Sequence, residues 1–278
     1  MINETFTFQR FWNYFKYDLK QLWHNNGKAA IMLGGISVIC YVIWVLGSLV
    51  FTGSWQAPGI AARLCFFAFG SLFLVFYQTR TYGYLTQKQA GQAWLMIPAS
   101  ALEKAISMII ITVILLPLAY IVSYLALDGI IALLDHTAGD AILVGWVPAS
   151  QEIGNVLSAA SEEGFQFNLS VLALPVILQF MGNLLYFLLC GICFRKWKIA
   201  SGLAITMAAS AIFTPIFSHF ALNTWSPMLA QYGSSNSDDP AVILDFLNSV
   251  ISWGTVVDFL LVAGLAIGIY YRIKTLKH

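Results

Sequence analysis

The chain has 278 residues, of which 59% are hydrophobic and only 10% charged, whereas about a quarter of an average soluble domain is charged. That balance excludes a protein solvated by water alone, and a formal net charge of +1 gives no sign of a nucleic-acid partner. The informative quantity is where the charges fall along the chain.

Residues 1–28 come first. Phe8, Phe11, Trp12, Phe15, Leu19, Leu22 and Trp23 recur at the spacing of one helix face, with Gln9, Arg10, Asn13, Lys16 and Lys20 elsewhere. The pattern predicts an amphipathic interfacial helix, its aromatic face in the headgroup boundary and its basic residues against anionic lipid. Asn25-Asn26-Gly27 offers a turn into the membrane.

A helix rises about 1.5 Å per residue, so an apolar run of about 20 residues crosses a hydrocarbon core of about 30 Å with its backbone groups satisfied internally. Within residues 29–278 six runs qualify: Ala29–Phe51, Ile60–Gln78, Ala105–Leu127, Leu169–Phe194, Ile199–Ala221 and Val250–Tyr271. The expected fold class is therefore an all-α integral membrane protein with six transmembrane helices. The first run is too long for a signal-peptide core and begins almost thirty residues in, so it is expected to stay as a helix.

Orientation follows from the lysines and arginines. With the N-terminus cytoplasmic, every one of them except Arg63 falls on the inner side. The connections 128–168 and 222–249, on the other side, carry none and hold Asp128, Asp135, Asp140, Glu152, Glu162, Glu163, Asp238, Asp239 and Asp245. A multi-pass protein of the cell membrane with both termini cytoplasmic is expected.

The inner connection Thr79–Lys104 is the most informative segment. Thr81–Trp94, polar with interspersed aromatics, predicts one short helix. Pro98 then disfavours helix at Ile97, and Ser100 with Glu103 three residues on has the spacing of a capping box. Helix connections usually take only a few residues, so the extra length implies a surface with a task. Tyr82, Tyr84 and Trp94 are expected to be exposed anchors on it, with Lys88 at the rim.

Trp94-Leu95-Met96-Ile97-Pro98-Ala99-Ser100-Ala101-Leu102-Glu103-Lys104 resembles the Leu-Pro-x-Ser stretch, followed by Glu and a basic residue, of the permease subunits of type-2 ATP-binding-cassette exporters. That family also has an amphipathic N-terminal helix before six spans. The resemblance implies that Tyr82, Tyr84, Lys88, Trp94, Pro98, Ser100 and Glu103 belong to a coupling loop docking on a separate cytoplasmic ATP-binding subunit. It also implies pairing with a second copy or a sibling permease.

No catalytic chemistry is legible. Gly27-Lys28 lacks the upstream glycine of a phosphate-binding loop, so ATP would come only through a partner, and neither an HExxH helix nor a paired-glutamate protease motif is present. Cys40, Cys65, Cys190 and Cys193 fall in predicted spans and suggest neither disulfide nor metal. Asp258, inside the last run, is costly if it faces lipid. It is expected to line a polar path, to stay protonated and hydrogen-bonded to a neighbouring helix, or to pair with Arg63, the basic residue at comparable depth. The sequence thus points to a transport subunit without its own cofactor, against the alternative of a non-transporting scaffold or sensor with acidic outer loops.

Overall fold

A computed structural model describes residues 6–145, 169–234 and 240–276. Every regular element among them is helical. Helix α1 spans Phe8–Gly34, α2 Ile36–Thr52 and α3 Ile60–Thr81; a 3-10 turn at Gly83–Thr86 precedes α4, Lys88–Leu95. Helix α5, Ala101–Ile109, passes through a π segment, Ile110–Leu115, into α6, Leu116–Leu134. Helices α7, Leu169–Cys193, α8, Lys198–Ser234, and α9, Pro240–Thr275, complete the bundle.

Among the described residues five stretches are long and apolar enough to cross a membrane: Ile60–Thr86, Ala101–Leu134, Ala173–Cys193, Lys198–Ile216 and Val250–Thr275. The first expected span differs. Asn25-Asn26-Gly27 makes no turn, because α1 runs through it to Gly34, and the break falls at Gly35. A Cβ on Gly34 would meet the Ser123 hydroxyl at 2.7 Å, so the missing side chain lets this junction lie close against α6. What remains, α2, is 17 residues, or about 25 Å.

The expected connection 222–249 is also mostly helical. Helix α8 continues to Ser234 and α9 begins at Pro240, where a missing N–H costs nothing at a first helical position. Helix α8 is then about 55 Å long, well beyond one bilayer core. Asp128, assigned to a connection by the sequence, lies in α6. Glu152, Glu162, Glu163, Asp238 and Asp239 lie outside the described residues.

Helix α7 is the centre of the packing, against α9 on one side and α3 on the other. Gly191 permits the second contact: a Cβ there would come within 2.7 Å of the Thr79 carbonyl oxygen. Two apolar clusters result. One gathers Tyr82, Leu85, Trp94, Met108, Leu185, Leu188, Ile192, Ile269 and Ile273. The other gathers Leu74, Ile111, Tyr120, Tyr124, Leu184 and Phe187.

Pro117 explains the π segment. It lacks the N–H that would close the preceding turn, and the wider turn accommodates the loss. The buried Gln78 of α3 donates from Nε2 to the Thr112 carbonyl in that segment at 3.2 Å.

The described ends of the chain meet at one end of the bundle. The Thr7 N–H donates to Glu103 Oε1 at 3.1 Å, and Leu276 packs in the cluster that holds Trp94 and Ala105.

Candidate functional site

At that shared end, α1 lies across the segment joining α3 to α5 and is clasped to it by three polar contacts. The residues responsible recur along α1 at helical spacing: Arg10, Tyr14 and Asp18 present polar groups, with Phe11 buried among them. The other flank of the helix keeps Phe8, Trp12, Leu19 and Trp23 exposed, with the Lys16 ammonium 5.3 Å from the Trp12 ring centre. The single aromatic face predicted from sequence is thus two faces, one turned inward and one outward.

The first contact is at the start of α5. Ser100 caps the helix: its Oγ accepts from the Glu103 N–H at 3.2 Å, and Glu103 Oε2 accepts from the Ser100 N–H at 2.9 Å. This is the capping box expected from the spacing. Glu103 is fully buried because it also takes Arg10, whose Nε lies 2.8 Å from Oε2 and whose Nη2 lies 2.7 Å from Oε1. One carboxylate therefore caps α5 and anchors the first turn of α1.

The second contact joins rings. Trp94, at the end of α4, donates from Nε1 to the Tyr14 hydroxyl at 3.0 Å. The Lys104 ammonium lies 4.5 Å from the Trp94 ring centre and donates to the Trp94 carbonyl at 3.1 Å, closing the C-terminal end of α4. Burial pushes the Tyr14 hydroxyl far above its ordinary range, so it stays protonated.

The third is a buried carboxylate that makes neither of the ion pairs found among the described residues. Asp18 accepts at Oδ2 from Tyr82, at 2.9 Å, and from Ser107, at 2.6 Å. Burial raises its carboxyl to about 6, with the Ser107 and Tyr82 hydrogen bonds opposing the rise. Lys198 of α8 holds the 3-10 turn that follows Tyr82, donating to the Gly83 carbonyl and to Thr86 Oγ1.

The expected coupling residues are thus brought together, but not as an exposed surface. Tyr82 is 1% and Trp94 2% exposed, and Tyr84 is half-buried. Their polar tips find partners on α1, which lets the rings enter the core instead of marking its rim. The one short helix expected over Thr81–Trp94 is two, interrupted by extended Gln87. Lys88 begins α4, and its side chain lies outside the described residues. Among its described side chains this connection presents Arg80, Gln87, Gln92, Ala93, Met96, Pro98 and Leu102 outward, with Met96 the most exposed apolar one at 85%.

Asp18, Tyr14 and Ser107 were not singled out by the sequence. The available signal was the run Phe11, Tyr14, Asp18 at steps of three and four, a second stripe with an acid in it.

The pairing expected for Arg63 is also corrected. At the opposite end of α3 from Tyr82, Arg63 is 3% exposed, and its Nη1 donates to Asp128 Oδ1 at 3.1 Å. Its Nη2 donates to the carbonyls of Ala138 and Asp140, at 3.0 and 2.7 Å, and the Ile142 N–H donates to Asp128 Oδ2 at 2.7 Å. Asp128 wins because α6 carries it one step beyond the apolar run, to the level of Arg63. Asp258 is half-buried on α9 and makes neither of the two ion pairs among the described residues.

No group of three or more histidine, cysteine or acidic side chains among the described residues could hold a metal ion. The arrangement ties α1 to α4 and α5 through side-chain hydrogen bonds and one ion pair. No protein family, curated protein or solved structure matches the chain.

Proposed function

We propose that the chain is the permease subunit of an ATP-binding-cassette exporter, working with a separate cytoplasmic ATPase and embedded in the cell membrane. In this reading α2 and the five longer apolar stretches make six crossings, and the end where Thr7 and Leu276 lie faces the cytoplasm. The observation that carries the proposal is the clasp. Arg10 with Glu103, Tyr14 with Trp94, and Asp18 with Tyr82 and Ser107 tie α1, α4 and α5 into one unit. A push on its outer surface is transmitted to the long helix Ala101–Leu134 without first being absorbed by a slack loop.

The docking surface in this reading is the tip of that unit, Gln92, Ala93, Met96 and Pro98. The apolar side chains of α8, among them Met207, Ile212 and Phe213, are exposed and suit a second copy or sibling. Affinity purification in mild detergent tests the reading. An ATPase subunit should come down stoichiometrically with the wild type and be lost with Met96→Asp, while thermal stability is unchanged. Purification with no ATPase under any mild condition would overturn it in favour of a scaffold.

A further inference from the structure

Between the start of α5 and the end of α9 lies a partly open cavity of about 640 Å³. Its size falls within the range of small-ligand sites, roughly 300–1,000 Å³. Lys104, 4% exposed, and Lys274 both line it, together with Ser100 and Tyr270, and none of its lining residues is acidic. The bonds of Lys104 go to carbonyl oxygens, of Trp94 at 3.1 Å and of Leu95 at 3.5 Å. Two carbonyl dipoles solvate an ammonium but leave its charge uncancelled. The neighbouring carboxylate, Glu103, is already committed to Arg10 and to two backbone N–H groups. A buried ammonium held only by carbonyls and the face of the Trp94 ring, and an exposed second lysine lining the same cavity, leave net positive charge there with no acid among the lining residues to cancel it.

The rest of the lining says which anion. Leu102, Ile273 and Leu276 give the cavity an apolar side. It sits where the stretch Ala101–Leu134 begins and the stretch Val250–Thr275 ends, the level at which headgroups meet helix termini. We propose that this cavity binds the phosphate of an anionic phospholipid, with Lys104 and Lys274 on the headgroup and the apolar side against the acyl chains. A lipid seated there bridges α5 and α9, so the site bears on how the last helix is held. This inference does not depend on an ATPase partner.

The test is native mass spectrometry of the full-length protein in detergent, with phosphatidylglycerol, phosphatidylcholine of the same chains, or inorganic phosphate added. Phosphatidylglycerol should survive as a bound adduct and phosphatidylcholine should not. Lys274→Glu should lower phosphatidylglycerol occupancy by about five-fold or more, the worth of one lysine near a charged headgroup. Lys196→Glu, the same charge change at an exposed position outside the cavity, should leave it unchanged. Lys104→Gln is a poorer test because it also unseats the end of α4. Equal retention of the two lipids, no effect of Lys274→Glu, or an equal effect of Lys196→Glu would overturn the proposal. Displacement of the lipid by millimolar inorganic phosphate would assign the cavity to a soluble anion and overturn the lipid assignment.

Discussion

The Tyr82 hydroxyl donates to the Asp18 carboxylate at 2.9 Å, joining residues 64 positions apart, and Ser107 donates to the same oxygen from a third helix. Because Asp18 is raised to about 6 from the usual value near 4, the folded protein holds a proton there that the unfolded chain has released. Stability from this group therefore falls as pH rises from about 4 to about 6. Asp18→Asn keeps the accepting oxygen and removes the titration. Relative to wild type it should gain about 3 kcal/mol between pH 4 and pH 7, read as unfolding midpoints in detergent at each pH. Parallel pH profiles for the two proteins would show that Asp18 does not titrate between them.

At the other end of α3, breaking the Arg63–Asp128 pair strands a buried charge. Arg63→Gln and Asp128→Asn should each cost about 3–5 kcal/mol, and the double change should cost clearly less than their sum. Arg63→Gln combined with Asp258→Asn should be additive within about 0.5 kcal/mol. Folded yield and thermal midpoint report both cycles, and coupling to Asp258 instead would restore the pairing expected from depth alone.

The cap on α5 separates two jobs of one carboxylate. Ser100→Ala removes the hydroxyl cap and should cost about 1 kcal/mol while leaving Arg10 in place. Glu103→Gln weakens the hold on Arg10 and should expose the first turns of α1 to protease. If limited proteolysis cuts both variants alike, α1 is held by something other than this carboxylate.

Buried and exposed positions of the α4 connection should behave differently. Trp94→Ala empties a packed site and should cost about 3–5 kcal/mol, so its loss of any partner would be uninformative. Met96→Asp touches an exposed group and should leave the unfolding midpoint within about 0.5 kcal/mol of wild type. A large drop in stability for Met96→Asp would mean that the tip of the connection is packed against this chain.

What the sequence made legible was local. Ser100 and Glu103 announce a capping box because that motif is written in four consecutive positions, and the long apolar runs announce helices because length and composition suffice. Tyr82 and Trp94 are ambiguous in sequence because an aromatic ring with a polar tip suits a headgroup boundary and a core equally well. What decides is whether a partner such as Asp18 or Tyr14 lies across the gap, and that is a fact of packing. The partner of Arg63 was missed for a related reason. Asp128 lies just past the edge of an apolar run, so depth within the runs leaves it out, but its helix does not stop there.

The π segment at Ile110–Leu115 sets the phase of the longest described apolar stretch. Its buried positions step by four from Glu103 to Ser107 to Ile111, by five to Leu116, and by four again to Tyr120, Tyr124 and Asp128. The single step of five keeps one line of side chains facing inward past Pro117. Deleting one residue from the segment would restore a regular helix and leave every side chain elsewhere intact. It would also turn one half against the other by about 100°, so that Glu103 could face Arg10 or Asp128 could face Arg63, but not both. Two distant ion pairs are thus kept in register by one surplus residue, and a deletion there should be far more damaging than any single substitution in the same six positions.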